Sequence, residues 1–184
     1  MALPLAQQTA VPSSLEETDG RHELYDGELR EKPQMSFGHN LTMRRLVRQL
    51  IMQLPFDGFE VLQNAGHTAI PDGNSYIPDV AVVPTSLTKA FRDDPRTFES
   101  YSSALPFVVE IWSPSTGRYD IDRKIPGYRA RSDLEFWRIH PFDQVVLIWR
   151  QQDDGRYVES EARGGTIALH ALPDVTIDLD ALWT

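Results

Sequence analysis

From His39 to Leu54 the apolar side chains Met43, Leu46, Val47, Leu50, Ile51 and Leu54 return at helical spacing, with Arg44, Arg45, Arg48 and Gln49 on the other side. This predicts an amphipathic helix that buries one face and is closed by Pro55. Before it, His22 to Tyr25 and Glu28 to Glu31 flank Asp26-Gly27, the two-residue signal of a type I′ turn, so a β-hairpin is expected over about 21–32. After it, the apolar runs Phe59 to Leu62 and Tyr76 to Val83 predict strands, separated by the turn residues Pro71-Asp72-Gly73-Asn74.

Between Pro84 and Ala104 the chain turns polar around Arg92-Asp93-Asp94-Pro95, which predicts a surface loop with at most a helical turn. Phe107 to Trp112 is a short apolar strand interrupted by one carboxylate, Glu110, and Ser113-Pro114-Ser115-Thr116-Gly117 ends it. A helix is expected from about Ile121 to Arg131, with Pro126 near its first turn or at a kink. Strands are expected at Glu135 to Ile139, Gln144 to Arg150, Tyr157 to Glu161 and Thr166 to Leu169. At the start, Ser13 or Ser14 before Glu16-Glu17 has the form of a capped helical turn.

The length of 184 residues suits one domain with one core. Residues 1–14 lack the basic start and unbroken apolar stretch of a secretory signal and read as a tail, leaving 15–184 as the domain. No run approaches the roughly 18 apolar residues of a membrane span, so a soluble, cytoplasmic protein is expected. The absence of cysteine excludes disulfides, zinc-thiolate sites and cysteine nucleophiles. A net charge of -9 excludes a surface that is basic all over, though not a local basic face for nucleic acid. Lys32, Lys89 and Lys124 are the only lysines, so a catalytic lysine has few possible identities.

Two carboxylates stand in apolar strands, Asp79 directly after Pro78 and Glu110 after Phe107-Val108-Val109. Either alone reads most simply as a strand-end acid that accepts backbone or arginine hydrogen bonds. Together they need a cation, because burying an ionised carboxylate costs several kcal/mol in practice, about that much per ion, unless something pairs with it. If their strands are neighbours, the pair can converge on a divalent metal that takes a few carboxylates and water. Such a metal polarises a phosphate and lowers the pKa of a water. Ser113, Ser115 and Thr116 suggest turn formation rather than a nucleophile, since no Gly-x-Ser-x-Gly elbow is present.

The order of these features resembles the Uma-type restriction endonuclease family of the PD-(D/E)xK nuclease superfamily. The resemblance runs over roughly residues 21 to 150: the hairpin His22 to Leu29, a helix opening near His39, Pro78-Asp79, and Glu110-Ile111-Trp112-Ser113-Pro114-Ser115-Thr116. Asp120, Lys124, Tyr128 and Glu135-Phe136-Trp137 complete it. It implies an α/β (α+β) fold, with a restriction-endonuclease-like mixed β-sheet flanked by helices behind the N-terminal hairpin. It implies Asp79 and Glu110 as ligands of Mg²⁺ or Mn²⁺, with Lys124 as the basic partner. The superfamily's commonest lysine position, two residues after the acid, is Trp112 here, and Lys32 and Lys89 lack placement comparable to that of Lys124. Ser132-Asp133-Leu134 and His140 also depart from the family pattern, in the loop and not at the proposed ligands.

Glu28 and His39 match family positions and read either as supporting groups or as a surface acid and a helix cap. Asp120 reads as a support or as a surface partner of Lys124. Arg44, Arg45, Arg48, Arg118 and Arg123 are either solvated faces or a phosphate-contacting rim. The expected function is metal-dependent endonucleolytic hydrolysis of nucleic acid, most naturally DNA. The rival is a nuclease-fold binding or scaffold protein with little or no turnover. Homodimer formation is compatible with either, with the strands after Gln144 as its expected interface.

Overall fold

The computed structural model describes residues 21–92 and 97–184. The expected turn at 13–17, the tail at 1–14 and the centre of the polar segment at 93–95 lie outside those residues. The hairpin forms as predicted from β1 (His22–Tyr25) and β2 (Glu28–Glu31), with Tyr25 opposite Glu28. Asp26 and Gly27 have φ of 48° and 80°, the left-handed pair that a type I′ turn demands. Helix α1 (Phe37–Ile51) opens two residues before His39, because the Ser36 side chain accepts the His39 N–H and caps it.

The apolar run from Tyr76 to Val83 is not one strand. Its first part, β5 (Ser75–Tyr76), pairs with β4 (His67–Ala69) and β1 in a small sheet, while β6 (Val80–Pro84) enters the main sheet. Pro78 has no N–H to continue a ladder. At this break the Ile77 N–H donates to the Glu23 carboxylate at 2.9 Å, and Asp79 follows at the mouth of the main sheet.

The main sheet adds β3 (Phe59–Gln63), β8 (Phe107–Ile111), β9 (Glu135–His140), β10 (Val145–Gln151) and β11 (Tyr157–Ala162), in the order β11-β10-β9-β8-β6-β3. Only β8 and β9 run parallel. The small sheet has the order β2-β1-β5-β4-β7, with β7 (Ser100–Tyr101) parallel to β4. The polar segment expected as a loop begins with a helix, α2 (Thr85–Arg92). Averaged polarity hides its pattern: Leu87 and Phe91, four residues apart, pack against the core.

The helix expected over 121–131 is longer and is widened in the middle. It runs through α3 (Gly117–Tyr119), a π turn (Asp120–Lys124) and α4 (Ile125–Ala130). The Ile125 N–H donates five residues back to the Asp120 carbonyl. Pro126, in the first turn of α4, has no N–H to give and would crowd a regular turn. Gly127 lets this helix close on the small sheet, since a Cβ there would stand 2.8 Å from Tyr76 Cε2.

The main sheet is packed on both faces. Residues such as Val80, Val109, Trp137 and Ile148 meet Met43, Leu46 and Leu50 of α1 and the C-terminal residues Ile177, Leu179 and Leu182. On the other face Val108, Phe136 and Trp149 meet Tyr76, Ile125 and Tyr128. The C-terminal segment, β12 (Thr166–Ala168), β13 (Thr176–Asp178) and α5 (Asp180–Trp183), is laced to α1. Gln49 and Gln53 each bond its backbone in both directions, and Arg45 donates to the Leu182 carbonyl at 3.2 Å. Among the described residues no helix is long and apolar enough to cross a membrane.

Outside the acidic centre described below, the loop between α4 and β9 is pinned by a buried pair. Arg131 grips Asp133 with Nε and Nη2 at 2.7 to 3.1 Å, and Asp133 accepts the Leu105 N–H at 2.7 Å. Removing one member strands the other, so Asp133→Ala should cost about 3–5 kcal/mol in urea denaturation. A loss below about 1 kcal/mol, the usual range of exposed pairs, would refute the pinning role.

Candidate active site

Val80 lies opposite Val109 in the β6–β8 ladder, so the next pair outward sets Asp79 across from Glu110. Opposed residues of antiparallel strands share a face, with Cβ atoms about 4.5–5.5 Å apart. The two carboxylates singled out from the sequence are therefore neighbours, and both are buried, at 1% and 3% exposure. The Ile111 N–H donates to Asp79 Oδ2 at 2.7 Å, and His39 Nε2 lies 3.0 Å from the same oxygen. His39 thus reaches the centre from the first turn of α1, fully buried.

Lys124 is also present, with its ammonium 2.8 Å from Glu23 Oε1 and 3.2 and 3.1 Å from the two oxygens of Glu110. Tyr128, one turn further along α4, donates a short hydrogen bond to Glu110 Oε1. Asp120, four residues before Lys124, is buried and accepts the Thr116 hydroxyl at 3.1 Å, so it is no surface acid. Arg138 stands beside Glu110 in the parallel β8–β9 ladder, on the same face.

Glu23, Lys32 and Arg138 escape sequence reasoning. Glu23, not Glu28, is the hairpin's contribution: Glu28 lies on the outer strand, its side chain 76% exposed beside Arg30. The available signal was period two, since Glu23 shares its strand face with the buried Tyr25. Lys32, set aside as merely following the hairpin, places its ammonium 2.8 Å from Asp79 Oδ1 and donates to the Ile77 carbonyl at 2.7 Å. That contact spans more than forty residues and has no local signature.

The other predicted residues fall outside the cluster. Arg45 is engaged with the C-terminal segment, while Arg44, Arg48, Arg118 and Arg123 are exposed. Arg123 rests its guanidinium over the Tyr25 ring at 5.0 Å. Ser113, Ser115 and Thr116 bond one another through their hydroxyls. Trp112 fills the position of the commonest superfamily lysine and packs on His140 with the rings tilted, centroids 4.1 Å apart.

Four buried carboxylates, Glu23, Asp79, Glu110 and Asp120, face the cations Lys32, Lys124 and Arg138, which leaves negative charge in excess. Protons make up the difference. Burial, opposed by Lys124 and reinforced by Asp79 and Asp120, pushes the Glu110 carboxyl up to about 8. Burial likewise raises Asp120 to about 6. Burial also acts to raise Asp79, but Lys32 and His39 outweigh it and hold its pKa below the ordinary range. Burial works against the charge on Lys124, yet Glu110, Glu23, Asp120 and Asp79 keep it an ammonium.

Among the described residues no three His, Asp or Glu side chains already stand in ligand geometry. The chemistry of the centre nevertheless suits a divalent ion. Buried Asp79 Oδ1 and Asp120 Oδ1 receive no directed hydrogen bond, although Lys32 stands close to the first, and Glu110 holds a proton that a cation can replace. Asp79 and Glu110, completed by water, match the sparse oxygen set that Mg²⁺ prefers. Beside Lys32 a cleft of about 240 Å³, lined by Arg21, Gln34, Asn40 and Asn64 among others, opens to solvent.

Comparison with known proteins gives a family match and several matches among solved structures. A family model named Uma2 and described as "Putative restriction endonuclease" matches residues 6–180. A crystal structure of a "putative nuclease belonging to DUF820" from Anabaena variabilis superposes with a TM-score of 0.73 at 18% identity. The superposition covers 93% of this chain and 94% of that one and shows a shared fold. No curated protein matches the chain.

The charge excess has a measurable signature in the metal-free protein. Glu110 titrates near 4.5 in its ordinary state and near 8 in the fold, so the folded state holds the extra proton and its stability falls as pH rises from about 4.5 to about 8. Asp120 adds to the same trend between 3.8 and about 6. The Tm in EDTA should drop from pH 5 to pH 8, and Glu110→Gln should flatten that slope. Parallel slopes for the two proteins would refute the assignment.

Proposed function

Because the chain belongs to the Uma2 family of restriction-endonuclease-like proteins, we propose that it hydrolyses phosphodiester bonds within nucleic acid, DNA by preference, with Mg²⁺ or Mn²⁺ held by Asp79 and Glu110. The observation that carries this reading is the direct opposition of these two carboxylates in a buried cluster short of positive charge. When bound there, the ion supplies Lewis acidity to the phosphate and a lowered pKa to the attacking water.

The chain's own groups do the positioning. The Ile111 N–H and His39 fix one oxygen of Asp79, leaving Oδ1 beside Lys32. Tyr128 and Lys124 hold Glu110 from the helix side, and Glu23 holds Lys124 in turn. Outer partners of this kind set ligand direction and basicity. Exposed Arg44, Arg48, Arg118 and Arg123 are the proposed phosphate rim, which lets an acidic protein hold DNA locally. The rival, a nuclease-fold binding protein without turnover, has one observation in its favour: Lys124 already bridges Glu23 and Glu110, so its donors are occupied.

Cleavage of supercoiled plasmid in Mn²⁺ or Mg²⁺ separates the two. The native chain should nick or linearise the plasmid, and EDTA or Asp79→Ala should abolish the reaction. Tyr128→Phe, which removes an outer partner, should cost roughly 10–100-fold in rate. Cleavage that survives Asp79→Ala would remove the metal role of that residue, and a silent native chain on varied DNA would leave the binding module.

A further inference from the structure

The two lysines of the centre are held in different ways. Lys124 is enclosed, its side chain 2% exposed, and its ammonium faces oxygens of Glu23 and Glu110. Moving it would strand an ion among carboxylates inside the protein. Lys32 belongs instead to the segment between β2 and α1, and its side chain is five times as exposed, at 10%. Its directed hydrogen bond goes to the Ile77 carbonyl, whereas Asp79 Oδ1 at 2.8 Å receives charge without hydrogen-bond direction. The same side chain forms part of the wall of the polar cleft.

We infer that Lys32 is the exchangeable cation of this centre: its ammonium guards Asp79 Oδ1 in the metal-free protein and yields that oxygen to a divalent cation, turning into the cleft to meet a phosphate oxygen. The inference rests on the nuclease reading for its second half. An ammonium on a four-carbon stem with three rotatable donors suits such a move, since it needs no fixed plane to bind. The cleft opens to solvent and offers the turned side chain a polar setting beside Gln34, Asn40 and Asn64, so the charge is not stranded. Exchange also lowers the positive charge beside the ligand oxygens: Lys124 stays against Glu110, and Lys32 is the ammonium placed to leave. Lys124 has the complementary task of keeping Glu110 and Glu23 in place throughout.

Calorimetric titration with Mn²⁺ alone, run beside the plasmid assay, tests this on native chain, Lys32→Gln and Lys32→Arg. Lys32→Gln should take Mn²⁺ about tenfold more tightly, a competing like charge having left, while cutting about a hundredfold more slowly. A lysine that only supports the fold would not give two changes of opposite sign. Lys32→Arg keeps the charge and should keep near-native Mn²⁺ affinity, with a melting temperature close to native confirming that it folds. Native Mn²⁺ affinity in Lys32→Gln, or no Mn²⁺ uptake by any of the three, overturns the exchange. Tighter Mn²⁺ with native cutting overturns the phosphate contact. If the native chain takes Mn²⁺ but cuts no DNA, the nuclease reading fails separately, and the Mn²⁺ comparison still decides the exchange.

Discussion

Negative charge kept away from water is the constraint around which this protein is organised. Glu23, Asp79, Glu110 and Asp120 are all at or below 5% exposure, and they approach from the hairpin, the break between the sheets, the main sheet and the π turn. None of them could remain there alone, because a buried carboxylate must be paired, hydrogen-bonded or protonated. All three remedies are in use. Lys32 and Lys124 pair, Ile111 and Tyr128 donate, and Glu110 and Asp120 keep their protons to a higher pH than ordinary carboxyls do. The elements that bring these groups together share little local sequence, so the electrostatics of the centre and the docking of the two sheets are one problem.

Much of the frame was legible in the sequence, and the reasons differ from element to element. Asp26-Gly27 specified its turn because few other residues accept two successive left-handed conformations. Helix α1 was visible because the apolar residues from Met43 to Leu54 keep one period over about three turns, although the helix itself ends at Ile51. The opposition of Asp79 and Glu110 was legible only as a condition: two acids in apolar runs can share a cation if their strands are neighbours, and that adjacency belongs to the sheet order. Helix α2 was missed because only Leu87 and Phe91 carry its pattern amid polar neighbours. The break at Pro78 was missed because an unbroken apolar run looks the same whether it serves one sheet or two.

Membership of the cluster was less legible than its centre. Glu23 and Glu28 share a face of the same hairpin, since Tyr25 lies opposite Glu28, and only the place of their strands in the small sheet separates them: β1 is an inner strand and β2 the edge. Lys32 was passed over because its neighbours in the chain say nothing of Asp79, more than forty residues away. Position 112, where the superfamily most often has its lysine, is spent on packing against His140, and positive charge enters from the following helix and from the hairpin side instead. Charge balance at a site can thus be kept while the residues that provide it change position.

The π turn gives the helix from Gly117 to Ala130 one residue more than a regular helix of the same path would hold. The extra residue is absorbed within the widened turn, so the helical pieces on either side keep one path. Loss of a single codon between Asp120 and Lys124 would therefore close the turn into a regular helix, with Asp120 and Lys124 three residues apart and still on one face. Tyr128 would keep its register with Lys124. Across diverging relatives, a one-residue gap is thus the length change this stretch can take most easily.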